Sequence, residues 1–192
     1  MPTAIRTAIF EALAACLGLS SSSVAASSLI RAAYTEPENQ PQPPRTRNVI
    51  YFDLQKEEDP PSRIPSFMPA TSEASGSFGA SSASGSSEIT ILTIHSYKLI
   101  IICYGPDAAS HAHRIRTRLY LDAAGQPRSI LRKAGIYPIP HPPEPLLLHE
   151  PENSLWRTRC DLTISLRVLD VQSVPQSAIL TPPGVRIVKM AN

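Results

Sequence analysis

Apolar residues recur every four positions at the start of the chain, at Ile5, Ile9, Leu13 and Leu17, and Ala8, Ala12 and Cys16 fill the same stripe. A helix that packs one face carries this pattern, so an amphipathic helix is predicted over 3–17, with Thr3 as its cap and Gly18 as its stop. A serine turn, Ser20 to Ser23, leads to a short apolar piece, Val24 to Ala33, read as a further helical turn or two. Pro37, Pro41, Pro43 and Pro44 then enforce extended chain.

Asn48 to Leu54 is rich in β-branched and aromatic types and is predicted to be a strand. The strongest strand signal is Ile89 to Tyr104, which alternates at first and becomes continuously apolar from Leu99. A continuous run implies burial on both faces, with a helix layer on at least one, and the length suggests a strand that bends, bulges or runs past the domain edge. Gly105-Pro106-Asp107 stops it and opens a helix whose buried stripe is Ala108, Ala112, Ile115 and Leu119, with His111, Arg114 and Arg118 outward. Gln126 to Ala134 reads as a shorter helix with Ile130 and Leu131 inward, closed by Gly135.

Ile136 to Ile139 is a short extended piece, and Pro140 to Pro145 cannot lie in a central strand. From Arg159 to Val171, Cys160, Leu162, Ile164, Leu166 and Val168 alternate with polar residues, the mark of a half-exposed antiparallel strand. Val185 to Met190 reads as a final strand or as a tail that pairs with another chain's sheet edge. The fold class expected is α/β (α+β): a small mixed or antiparallel sheet flanked by helices, with long Pro/Ser-rich arms.

Composition explains the arms. The 192 residues include 20 prolines, roughly twice the usual share of about 5%, and only 18% are charged and 6% aromatic. A single domain is expected, its core about 1–33, 48–54 and 88–171, with 35–87 a connector and arm and 172–192 a C-terminal extension. Asp59 to Ser87 buries too little apolar area to offset its ordering entropy, so it should be flexible alone and order by draping over adjacent subunits.

The net charge of +2 is too small to argue for nucleic acid or acidic lipid, and the surplus after Pro106, eleven Lys/Arg against seven Asp/Glu, is spread over several elements. Cys16, Cys103 and Cys160 are odd in number and far apart in sequence, so buried free thiols are expected. Leu13-Ala14-Ala15-Cys16, with Arg6 upstream, looks like a bacterial lipoprotein cleavage box. Glu11 inside the would-be apolar core and the retained Met1 argue for an uncleaved, soluble chain, and no stretch approaches the ~20 apolar residues that span a bilayer.

Candidate chemistry is sparse. His111 and His113, two apart, point roughly 200° apart on a helix and cannot ligate together. His141 and His149 sit in the proline-rich segment, and His95 sits in a strand. Glu57, Glu58 and Asp59, and more loosely Glu144, Glu150 and Glu152, could supply acid–base carboxylates, but proline-rich loops position groups poorly. No GxSxG elbow, P-loop or glycine-rich nucleotide fingerprint is present. No catalytic residue, cofactor or metal is therefore expected.

The segment Cys103-Tyr104-Gly105-Pro106-Asp107-Ala108-Ala109, running into His113-Arg114-Ile115-Arg116-Thr117-Arg118-Leu119, resembles a signature of neck-terminator or tail-completion proteins of contractile-tailed phages. In that family a strand ending in YGPDA enters an Arg-containing helix. Leu155-Trp156-Arg157-Thr158-Arg159-Cys160-Asp161-Leu162-Thr163-Ile164 is similar to the family's late strand. The long Ser/Pro stretch from Thr35 to Ser87 and the end after Pro175 depart from the pattern.

The resemblance implies a virion subunit that forms a ring, expected to be a hexamer, at the head-proximal end of the tail. Its partners would be its own copies, the tail tube or sheath protein, and the head–tail connector or collar proteins. Arg114, Arg118, Trp156 and Arg157 are the candidate interface residues; no nucleic-acid readout and no membrane are expected. Two alternatives stand beside it: a secreted or lipid-anchored bacterial binding protein, and a metal-dependent hydrolase in which His95, His111 or His149 would converge on one pocket.

Overall fold

The structure, a computed structural model, describes residues 3–33, 44, 46–58, 66–69, 87–152 and 155–176. Among them are four helices, α1 (Thr3–Leu17), α2 (Val24–Leu29), α3 (Ala108–Arg118) and α4 (Pro127–Lys133). Seven strands, β1 (Ile30–Ala32), β2 (Val49–Glu57), β3 (Ser66–Pro69), β4 (Ser87–Tyr104), β5 (Ile136–Pro138), β6 (Leu146–Glu152) and β7 (Leu155–Gln176), form one sheet. Its order is β1-β2-β4-β7-β5, with β3 beside β4 and β6 beside β7. All pairings are antiparallel except β1 with β2, so the sheet is mixed, as expected.

One face of the sheet carries the core. Leu99, Ile101 and Cys103 of β4 and Cys160, Leu162, Ile164 and Leu166 of β7 are buried in one cluster with Ile9 and Leu13 of α1, Ile115 of α3 and Leu131 of α4. The alternation read in β7 is therefore its inward row. The continuous run in β4 behaves differently from the expectation. Ile100 and Ile102 face away from the helices and are only half-buried, beside Tyr51 and Asp53 of β2 and Asp161 and Thr163 of β7. Burial is on one face, as in an antiparallel sheet with one solvated side.

Helix α1 ends as its sequence foretells. Gly18 has φ +76°, Leu19 N–H donates to Ala14 O at 2.9 Å, and Gly18 N–H donates to Ala15 O at 3.0 Å. This paired closure uses two of the four carbonyls a helix end leaves without partners. Helix α2 starts at Ser23, whose hydroxyl accepts from Ala26 N–H. It stops at Leu29, because Ile30 to Ala32 turn into a strand parallel to β2; the helical reading to Ala33 is corrected by that non-local pairing.

Several boundaries also move. β2 runs on to Glu57, so Glu57 is in a strand and not a loop. β7 runs from Leu155 to Gln176, longer than Arg159 to Val171, and takes in part of the supposed C-terminal extension. β6, in the segment read as a proline loop, places His149 and Glu150 in a strand. β3 pairs with β4, so part of the 35–87 arm is sheet; the rest of that arm, Asp59 included, and Val185 to Met190 lie outside the described residues. The β4–β7 ladder is 18 pairs long, about 60 Å at ~3.3 Å per residue, and its stretch from Thr90 to Ile94 runs past the buried core. Cys16, Cys103 and Cys160 are free and buried; Cys103 and Cys160 face each other across β4 and β7.

Candidate functional site

The YGPDA segment is a structural joint. Gly105 has φ +109°, and a Cβ there would lie 2.5 Å from Asn48 Oδ1 and 2.9 Å from Arg47 O, so only glycine lets the chain pass. Asp107 occupies the N-cap position of α3, but its carboxylate does not cap the helix. It accepts from Asn48 Nδ2 at 2.8 Å, while Asp107 N–H donates to Asn48 Oδ1 at 3.0 Å. The joint ties the start of β2 to the start of α3. Ala108 follows, fully buried in the core.

Tyr104 begins a second cluster, on the sheet face away from the helices. Its ring lies under the Arg157 guanidinium, 4.4 Å from the centroid, with Arg159 at 5.9 Å and Tyr51 edge-on at 6.0 Å. Arg159 binds Asp161 with two nitrogens at 2.6 and 2.7 Å and is also paired with Glu150, which accepts from the Tyr104 hydroxyl at 3.2 Å. Hydrogen bonds to Asp161, ahead of those to Glu150, push the Arg159 pKa up; burial, more than the neighbouring charges, pushes the Tyr104 phenol up. The cluster welds β4, β6 and β7 at the base of the β6–β7 hairpin.

Helix α3 braces both sides of it. Arg114 Nη2 donates to Leu17 O at 3.2 Å and Arg118 Nη1 to Cys16 O at 3.3 Å, the two α1 carbonyls that the Gly18 closure leaves over. Two guanidinium charges thus sit at the negative end of the α1 dipole. Arg116 holds the proline segment, with Nη2 to Pro142 O at 3.3 Å, Nε to Pro143 O at 3.2 Å and an ion pair to Glu144 at 2.9 Å. Tyr120 donates to Ile139 O at 2.8 Å. The arginines of the motif fasten α1 and the approach to β6.

What this framework presents is an apolar hairpin. Leu146, Leu147, Leu155 and Trp156 are 59, 51, 63 and 71% exposed at one end of the sheet. Of the four candidate interface residues, Trp156 lies here, Arg157 is buried against Tyr104, and Arg114 and Arg118 are exposed while bound to α1. Trp156 and Arg157 are neighbours on β7 whose side chains point to opposite faces of the sheet, and Arg114 and Arg118 lie on α3 against the end of α1. Asn48, Glu150, Arg159 and Asp161 were missed as partners. The three consecutive leucines, Leu146 to Leu148, show no alternation, and the prolines around them hid the strand.

The other candidates are dispersed. Glu57 and Glu58 rim a cavity of about 480 Å³ with Ser96, Ile139 and Arg167. His95 is on β4, His111 on α3, His149 on β6, and His141 turns the proline segment at φ 63°. His111 Nδ1 is buried without a hydrogen-bond partner, and burial lowers its pKa. Among the described residues no three His, Cys, Asp or Glu side chains group closely enough for a metal, and no helix is long and apolar enough to cross a membrane. Leu13, Ala14 and Cys16 of the lipoprotein-like box are fully buried in α1, so cleavage before Cys16 would take most of that helix out of the core.

No curated protein sequence is significantly similar to the chain. A family model described as phage neck terminator protein matches residues 4–189, through both the Ser/Pro stretch and the region after Pro175 that depart from the expected pattern. With nearly the whole length matched, the chain belongs to the phage neck terminator protein family, a structural component of the virion's neck and tail.

Proposed function

We propose that the protein is a non-catalytic ring subunit at the head-proximal end of the tail, which ends the tail tube or sheath and receives the head connector. One observation supports the reading beyond the family: the β6–β7 hairpin exposes large apolar side chains on both faces, Leu147 and Trp156 on one and Leu146 and Leu155 on the other. Large apolar side chains left exposed on a paired element fit a surface that a protein partner covers. The chain acts as one domain, and the Pro/Ser-rich parts of 35–87 outside β2 and β3 serve as an arm across neighbours. Its partners are its own copies, six to a ring, the tube or sheath protein below and connector or collar proteins above.

Trp156 is the contact residue of the candidate set, Arg157 positions the strand that carries it, and Arg114 and Arg118 add an exposed basic face. Mechanism is geometric: a subunit with two different contact surfaces joins head to tail until rotation closes the ring. The mass of the purified protein, alone and with tail-tube protein, tests this, together with its presence in virions. A closed oligomer, or a monomer that assembles on the tube, supports the ring. A protein that stays monomeric under both conditions and is absent from particles overturns it.

A further inference from the structure

We propose that Cys103 and Cys160 close to a disulfide once the assembled virion has left its host, stapling β4 to β7 directly behind the Gly105 joint. The staple needs no neighbouring copy. The two residues are direct partners across β4 and β7, and both side chains belong to the buried row on the helix side. Gly105 N–H donates to Thr158 O at 3.2 Å, which makes that pair a hydrogen-bonded one. Pairs of this kind recur every second residue, so Cys103 and Cys160 also exchange backbone bonds, with Cα atoms about 5.5 Å apart. Disulfides span Cα separations of ~4.4–6.8 Å, most often about 5.5–6 Å.

Both thiols are free, and they are 0 and 1% exposed. Burial, and then the nearness of Cys160, pushes the Cys103 thiol up, so thiolate is scarce and closure is slow. A component of the virion's neck leaves the host for surroundings in which disulfides persist. The oxidant is hydrogen peroxide, small enough to reach the pair when the core opens locally. One thiolate attacks the peroxide and becomes a sulfenic acid as water leaves; the second thiolate attacks that sulfur and displaces the next water. Two S–H bonds and one O–O bond break, one S–S bond forms, and the peroxide is reduced to two waters. The covalent loop spans 57 positions and takes in α3, α4, β5 and β6, so it restrains much of the unfolded chain. Cys16 lies on α1, away from any strand ladder.

The experiment treats reduced full-length protein with hydrogen peroxide and, in parallel, takes the protein from purified virions. Both samples are denatured in a maleimide that caps every remaining thiol, then digested for mass spectrometry. One capped thiol, Cys16, and a peptide pair linked through Cys103 and Cys160 are expected in each. The melting temperature of the peroxide-treated protein should rise by about 5–15 °C and fall back on reduction. Cys160→Ala, folded by circular dichroism, should show no rise; treated and untreated wild-type protein give the comparison if that variant does not fold. Three capped thiols in the virion sample, a link through Cys16, or a Cys103 or Cys160 carried on to sulfinic acid overturns the staple. So does a linked protein whose melting temperature does not rise.

Discussion

The side chain of Asn48 and the N–H and carboxylate of Asp107, 59 residues apart, form a reciprocal pair of hydrogen bonds at 2.8 and 3.0 Å. The two bonds hold the entry to β2 against the entry to α3, around a glycine that leaves no room for a side chain. Asn48→Ala should lower stability by about 1 kcal/mol, since the pair is exposed and water replaces part of it. Gly105→Ala should cost about 3 kcal/mol, because a Cβ at φ +109° both strains the backbone and drives out the Asn48 amide. Chemical denaturation of the two variants checks the order; equal losses would mean that the close approach at Gly105 is unimportant.

Arg114 and Arg118 complete the α1 C-terminus, so their removal should destabilise the isolated subunit whatever they do in an assembly. Each alanine substitution is expected to cost about 0.5–1.5 kcal/mol, from one hydrogen bond and one dipole-facing charge. The loss should shrink in high salt. Denaturant titration at a concentration where the protein is monomeric measures it; unchanged midpoints would show the two bonds to be energetically idle.

The three thiols should be slow to react. Burial pushes the Cys16 thiol up to about 12, and burial with the neighbouring Cys160 and Asp161 pushes Cys103 up as well; Cys160 is raised by burial and then Asp161. Reactivity follows the thiolate. A thiol reagent at pH 8 should label none of the three within the time that labels all three in denaturant. Rapid labelling of one in the native protein would contradict its burial.

His111 gives a pH dependence with a definite sign. Its pKa lies below 6.5 in the folded chain, lowered first by burial and then by Arg114, while Asp107 acts in the opposite direction. As pH falls through about 6.5 the unfolded chain binds this proton before the folded one does, so stability declines on acidification. His111→Gln should flatten that decline between about pH 7 and 5. Melting temperatures of the two proteins across the range decide it; parallel curves would remove His111 as a contributor.

Local pattern was legible where one face of one element decides its fate. The four-residue recurrence of Ile5, Ile9, Leu13 and Leu17 marked α1 to its last residue, Ala108, Ala112 and Ile115 marked α3, and the alternation from Cys160 to Val168 marked the inward row of β7. β1 and β6 were not legible. Ile30 to Ala32 become a strand only because β2 lies beside them, and Leu146 to Glu152 read as loop because the prolines at 145 and 151 outweigh three consecutive leucines that show no alternation. The apolar run of β4 suggested two buried faces; only the arrangement of helices showed that one face is left half-open.

The sequence by itself determined the helices, the main strands, the buried thiols and, through YGPDA and its arginine helix, the family. Those depend on residues close together in the chain, whose spacing is set by helix and strand periods. Only the tertiary structure decided what the motif does. Arg114 meets Leu17 across 97 residues, Tyr104 meets Glu150 across 46, and Trp156 is left in solvent because the elements that bury its neighbours end short of it. Such contacts are fixed by how the elements pack, and no local period encodes them.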